Sequence, residues 1–239
     1  MNHIHPTAVV GDGVQLGDGN VIGPFAVLLG PLRLGSRNWI GPHVVIGTPA
    51  EIRGIDHGAA GTDLPPAPDA DPVGTGITIG DDNVLREYTT VHQGHYGRTV
   101  LGSNCYIMNK VYIGHDNVIG DAVTMASSAT LGGHVHVDDG ANLGMGAIVH
   151  QRRVIGATAM VGMGSVVTRD IAPYALAYGN PCRVHRANTV GMTRAGIAAE
   201  TVARVDAAYR TGDIARIDGD AALTAAWNRW HAAVETADS

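Results

Sequence analysis

The stretch LGSNCYIMNKVYIGHDNVIG, residues 101–120, places an aliphatic side chain at every sixth position: Leu101, Ile107, Ile113 and Ile119. A helix repeats every 3.6 residues and a strand every 2, so a period of six fits neither as an isolated element. It fits a parallel β-helix, in which each six-residue unit is one flat side and one inward side chain per side fills the axis. Working outward, the register continues through Met125, Leu131, Val137, Leu143, Val149, Ile155, Val161 and Val167. Toward the N-terminus it reappears as Ile79, Leu85 and Val91, and again as Ile4, Val10, Leu16, Ile22, Leu28, Leu34, Ile40 and Ile46. The next residue is very often Gly (Gly17, Gly23, Gly102, Gly114, Gly132). A corner repeated every six residues needs unusual φ/ψ or close backbone approach, and glycine is expected to supply both.

Composition agrees with a thin prism: 33 Gly against 1 Phe and 3 Trp in 239 residues leaves an axis of Ile, Val and Leu with few rings. The net charge of −6 argues against a nucleic-acid binder. It is unevenly spread, because Gln151–Arg194 holds Arg152, Arg153, Arg169, Arg183, Arg186 and Arg194 against the single acid Asp170. That segment reads either as a solvated face or as a docking surface for an acidic partner or a phosphate. Two cysteines, Cys105 and Cys182, stand at no metal or disulfide spacing, which points to a reducing compartment. No signal-peptide pattern and no membrane-length apolar run is present, so a cytoplasmic location is expected.

The pattern divides the chain into a β-helix, residues 1–189, and a helical segment, residues 190–239. The rhythm is interrupted over about 48–76 by a segment containing Pro65, Pro66, Pro68 and Pro72, read as a long loop. It slips by four residues through 92–98, a second and shorter loop. Residues 168–190 lose the beat and are expected to cap the stack. Ala198–Tyr209 and Ala221–Thr236 read as amphipathic helices separated by Asp218-Gly219-Asp220, a turn cluster. Three flat sides make a trimer the natural oligomer, with clefts between prisms.

Twelve histidines invite a metal reading. The informative ones follow the beat. Ile113, Leu131 and Val149 are one full coil of eighteen residues apart, so neighbouring residues stack at about 4.8 Å. His115, His134 and His150 are therefore expected to rise along one edge, a constellation suited to binding and proton transfer as well as to ordinary surface exposure.

The ordered set His115-Asp116, Gly133-His134 and His150-Gln151 resembles the acyl-carrier-protein-dependent acyltransferases of the left-handed β-helix class that act on UDP-N-acetylglucosamine. So do Ile4-His5-Pro6-Thr7-Ala8, Ile22-Gly23-Pro24-Phe25, the segment Arg86–His92 and Pro173-Tyr174 with Gly179-Asn180. The resemblance implies a mainly β fold, a left-handed parallel β-helix with a short C-terminal α-helical extension, working as a homotrimer without metal or bound cofactor. It implies His115 as general base, Asp116 as its orienting partner and the Gly133 amide as oxyanion donor. It further implies His134, His150 and Gln151 on a nucleotide-sugar, and Asn188 and Arg194 on nucleotide phosphate or acyl carrier protein.

The chain differs from the family pattern at Tyr112 and Pro181, where histidines are common, and at Arg194-Ala195, where paired basic residues are usual. Met163 stands where some members carry Gly along the acyl groove, which predicts a shortened groove or, alternatively, simple core packing. A same-fold alternative uses an acyl-CoA donor on another small acceptor. A zinc enzyme resembling the γ-class carbonic anhydrases needs three converging histidines, including a pair five residues apart. Position 120 is Gly, so His92 and His115 fall short of that set.

Overall fold

The computed structural model describes residues 1–54, 75–214 and 221–237. The sixfold rhythm becomes a left-handed parallel β-helix of short strands stacked into three sheets. The sheets hold ten, eight and seven strands and form the faces of a triangular prism, termed A, B and C in chain order. Strands around His115 illustrate the winding: Tyr106–Ile107 on face A, Tyr112–Ile113 on face B, Val118–Ile119 on face C, then Thr124–Met125 back on face A. Partners are eighteen residues apart, as in Ile113↔Leu131 and Ile119↔Val137.

The two interruptions leave this stacking in register. Trp39 pairs with Val84 forty-five residues on, and Val84 pairs with Tyr106 twenty-two residues on. The long insertion and the four-residue slip therefore leave from corners and return to the next coil. Of the long loop, residues 55–74, including Pro65, Pro66, Pro68 and Pro72, lie outside the described residues, as does the Asp218-Gly219-Asp220 cluster.

The beat residues from Ile22 to Val167 are at most 2% exposed and form one continuous core. Ile4 and Val10 depart from the expectation of inward burial, at 45% and 36% exposed. They belong to the first coil, and nothing stacks beneath it.

Apart from Gly47 (φ 102°), the glycine after an inward residue answers only one of the two demands predicted for it. At Gly102 a Cβ would stand 2.4 Å from Asp121 Oδ1 and 2.7 Å from the Gly120 carbonyl carbon of the next coil. Its φ, however, is not left-handed. The left-handed residue lies two positions later, at Lys110 (φ 59°), Asp116 (59°), His134 (60°) and Arg152 (58°). These and most other corners thus hold a non-glycine side chain in a conformation that costs roughly 1–2 kcal/mol, while Gly140, Gly146 and Gly164 fill the same position without that cost. The coil tolerates this because its neighbours fix the backbone on both sides.

Buried asparagines tie successive coils along another column. Asn20 Oδ1 accepts the Asn38 amide at 2.8 Å, Asn38 Oδ1 the Asn83 amide at 2.9 Å, and Asn83 Oδ1 the Cys105 amide at 2.8 Å.

At the C-terminal end, Ala175–Tyr178 extends face A in parallel, and Arg183–Ala187 folds back antiparallel to close the sheet. Three helices follow: α1 (Thr189–Arg194), α2 (Ala199–Thr211) and α3 (Ala221–Ala237). The short α1 has no counterpart in the sequence pattern. The helices bury Met192, Val205, Leu223, Ala226 and Trp227 against Ala157, Ala172 and Tyr174 of the last coils. None of the described helices is long and apolar enough to cross a membrane.

Candidate active site

The edge where face B turns into face C carries three pairs of residues, one coil above another: His115-Asp116, Gly133-His134 and Gln151-Arg152. The His134 amide donates to the His115 carbonyl and the Arg152 amide to the Gly133 carbonyl, both at 3.0 Å, so the backbone locks the stack.

His115 Nδ1 lies 2.6 Å from Asp116 Oδ2. The carboxylate only accepts, so Nδ1 carries the proton and Nε2 keeps a free lone pair. Asp116 is buried and its other oxygen is saturated. Oδ1 accepts the amides of His95, Tyr96 and Gly97 at 2.8, 2.9 and 2.7 Å. Burial pushes the Asp116 carboxyl up, but the Gly97 amide, His115 and the other two amides outweigh it and hold the group below its usual range. The Asp116 amide in turn donates to Thr99 Oγ1 at 2.9 Å. The loop after His92 is therefore the cradle of this carboxylate, a role that the four-residue slip did not reveal. The signal available was its position, one coil before His115-Asp116.

His134 meets His115 edge to face, with ring centroids 5.1 Å apart and planes at 88°. Its Nε2 is 3.6 Å from Asp116 Oδ2. Burial lowers the His134 pKa; Asp116 opposes this, while His115 and Arg152 add to it. The ligand atoms of His115, Asp116 and His134 lie within 4.8 Å of one another, a spacing compatible with a metal ion. Asp116 is already committed to His115 and three amides, which suits a proton relay better. His92, from the zinc reading, is buried with Nδ1 3.0 Å from the Pro49 carbonyl, and its Nε2 is 3.8 Å from Glu51.

Gly133 lies directly against the His115 ring. A Cβ there would stand 2.6 Å from both Cε1 and Nε2 of His115. Its amide donates to nothing among the described residues. At the corner between faces C and A the corresponding amides are capped, as where Ser103 N donates to Asp121 Oδ1 at 2.7 Å. The residue packed against the His115 ring thus also carries an N–H with no partner among the described residues.

The other predicted residues fall elsewhere. His150 is exposed, with Nδ1 3.0 Å from the Gln151 carbonyl, and it makes no recorded contact with the His115–His134 pair. Gln151 packs over Gly132, whose Cβ would meet its amide at 2.8 Å. Asn188 caps α1 by accepting the Gly191 amide at 3.1 Å and donates to the Thr158 carbonyl at 2.9 Å. With Arg186 and Arg194 it lines a cavity of about 540 Å³ on face A, along the edge with face C. Met163 lies on the third edge, between faces A and B, and is 76% exposed, which overturns the core-packing alternative. Tyr112 donates a short hydrogen bond to Glu51, and its ring lies 5.2 Å from His92. Burial and that carboxylate both raise the Tyr112 pKa.

Residues 170–229 match the family model described as UDP N-acetylglucosamine O-acyltransferase, domain 2. Over 139 residues, 57% of this chain, the sequence is 43% identical to the acyl-[acyl-carrier-protein]–UDP-N-acetylglucosamine O-acyltransferase of Alkalilimnicola ehrlichii. It is 40% identical over 140 residues to that of Pseudomonas savastanoi. The matched segment spans 54% of each of these curated relatives, about half their length. Solved structures match more of the chain. The Bacteroides fragilis UDP-N-acetylglucosamine acyltransferase superposes with a TM-score of 0.76 at 27% identity, over 95% of this chain and 94% of that one. The Campylobacter jejuni enzyme gives 0.73 at 26%, over 94% and 85%. The chain is a left-handed β-helix protein of the hexapeptide-repeat kind, and it resembles the UDP-N-acetylglucosamine O-acyltransferases.

Proposed function

We propose that the protein is an acyltransferase that moves a fatty acyl group from acyl carrier protein to a hydroxyl or amine of a UDP-N-acetylglucosamine-like nucleotide-sugar. The observation that carries this reading is the His115 ring lying over the Gly133 main chain, with Asp116 behind it. The printed names of the relatives give the same donor and acceptor.

The geometry suggests the following steps. His115 Nε2 takes the proton of the acceptor hydroxyl as its oxygen attacks the thioester carbonyl. Asp116 holds the resulting imidazolium. The negative charge gathering on the carbonyl oxygen is met by the Gly133 N–H, a donor worth about 3–4 kcal/mol in comparable sites. Collapse breaks the carbon–sulfur bond, and the departing thiolate recovers the proton from His115. His134, neutral at pH 7 because its pKa is lowered, offers a hydrogen bond to the sugar. No metal or cofactor enters these steps.

The candidate residues occupy all three edges of one prism: His115, Gly133 and Gln151 on one, Met163 on the second, Asn188 and Arg194 on the third. One prism cannot bring its own three edges together, which supports a homotrimer in which a neighbour completes each site. Residues 1–189 would supply the prism, residues 190–239 the end cap, and Arg169, Arg183, Arg186 and Arg194 a surface for an acidic carrier protein in the cytoplasm. Exposed Met163, one coil above exposed Met145, would narrow an acyl groove along its edge and favour shorter chains.

The test offers the purified full chain acyl-carrier-protein and acyl-CoA thioesters of graded length with UDP-N-acetylglucosamine, and identifies products by mass spectrometry. Transfer from the carrier protein, falling about 10²–10⁴-fold in H115A, is expected. An unchanged rate in H115A removes His115 as the base. Equal use of acyl-CoA transfers the function to the CoA-dependent class.

A further inference from the structure

Beside the His115–Asp116 pair lies a cavity of about 450 Å³, within the range of roughly 300–1,000 Å³ usual for small-molecule sites. It is lined by Asp116, Val118 and His134 of the prism and by Ala232 and Ala233 of α3. Two guanidinium groups border it. That of Arg229 is committed, with Nε 3.0 Å from Asp138 Oδ1 and an amino group 3.3 Å from Asp139. Arg152 is exposed and has no hydrogen-bond or ion-pair partner among the described residues.

Arg152 is placed by the fold. It occupies the same left-handed corner position as His134 and Asp116, one and two coils along, with φ 58°. Its Cα is therefore about 4.8 Å from the His134 level. An uncompensated cation lining a concave, mostly apolar cavity calls for an anion. Nearby Asp116 does not supply it, since both its oxygens are engaged by His115 and the amides of 95–97.

We propose that Arg152 binds the phosphate of the acceptor, holding the nucleotide-sugar by its phosphate while a sugar hydroxyl rests on His115. This rests on the acyl-transfer reading above. Scale selects the acceptor over the donor. On a phosphorylated sugar the attacking hydroxyl and the phosphate are separated by one ring, a span that fits between His115 and Arg152, two coils or about 9.6 Å apart along the edge. A carrier-protein thioester is joined to its phosphate by a long pantetheine arm, which would carry that phosphate well beyond Arg152. The apolar side of α3 then faces the remainder of the nucleotide. Arg152 is thus a binding residue supplied by the same protomer as the base.

Calorimetric titration of the full-length protein with UDP-N-acetylglucosamine and with phosphate-free N-acetylglucosamine tests this without turnover. R152Q is expected to weaken the nucleotide-sugar roughly 10- to 100-fold, the effect of losing a charge-assisted hydrogen bond. Affinity for the unphosphorylated sugar stays unchanged, and R152K, which keeps the charge but not the fork, recovers part of the loss. R152N, whose side chain favours the left-handed corner, serves should R152Q fold poorly. In turnover, KM for the acceptor rises and KM for the thioester does not. Unchanged nucleotide-sugar affinity in R152Q, or a loss confined to the thioester, overturns the assignment. A protein that transfers no acyl group defeats the function above and leaves the titration a valid test of Arg152.

Discussion

At the scale of single residues, the site depends on what is missing at position 133. Gly133 has an ordinary φ, so alanine fits its backbone, but the added Cβ would meet His115 at 2.6 Å. G133A is therefore expected to keep a thermal midpoint near wild type while kcat falls about 10²–10³-fold, as when an oxyanion donor is displaced. A midpoint that drops with activity would instead mark Gly133 as a packing residue. His134 and Asp116 give acid sensitivity in two separate windows. The folded His134 pKa lies below 6.5, so the unfolded chain binds its proton first. Its contribution to stability is complete above that value and declines as pH falls from about 6.5 toward the folded pKa. Asp116 is depressed below 3.8, so its contribution is complete above the ordinary carboxylate range and is lost only as pH falls through the folded value. H134Q should flatten the thermal midpoint against pH just below 6.5 and leave the lower step intact; a curve identical to wild type in that interval would contradict the assignment.

At the scale of elements, each coil is too short to be stable alone and is held by its neighbours. The buried asparagine column is one such link. Asn38 accepts the Asn83 amide and donates to the Gly80 carbonyl at 3.0 Å, exactly across the junction where the long insertion leaves and returns. N38A strands both groups in a buried site, at about 1–3 kcal/mol each. The expected result is a lowered thermal midpoint and faster amide exchange around residues 79–85, with the coils after Leu101 little changed, because repeat stacks couple mainly to nearest neighbours. Uniform acceleration along the whole chain would show that the prism unfolds as one unit. The loop after His92 works on the same scale: three successive amides converge on Asp116, so a connection between strands becomes part of the site.

At the scale of the whole molecule, faces A and B remain open. Val21 and Tyr106 on face A, and Val9 and Ile148 on face B, are 38–48% exposed in the single chain. Face C, by contrast, is partly covered by α3, tied down through Arg229 and Asp138. Uncovered apolar faces of this kind mark association surfaces. I148E is expected to shift sedimentation from trimer toward monomer and to reduce transfer in parallel. Complementation tests the shared site more sharply. Inactive H115A protomers mixed with R194A protomers should recover activity if the His115 edge of one chain works with the Arg194 edge of another. No recovery on exchange of subunits would confine each site to a single prism.

How much of this was legible beforehand varied with the range of the interaction. The aliphatic beat, the two insertions, the helical tail and the His115-Asp116 pair could all be read from sequence, because a fixed period makes the inward face, the corner and the coil spacing local properties. Strict periodicity also places Gly133 one coil from His115. It does not show that the Gly133 amide is free, that three amides from 95–97 saturate Asp116, or that Arg152 stands unpaired beside a cavity walled by α3. Nor does it reveal that Met163 faces solvent. Those facts depend on how loops and helices outside the repeat fold back on the prism, where no period constrains them. The coil and the order of its side chains follow from the repeat alone, since burial recurs every six residues. Which polar groups satisfy one another, and which are left over to meet a ligand, follows from long-range packing that no repeat encodes.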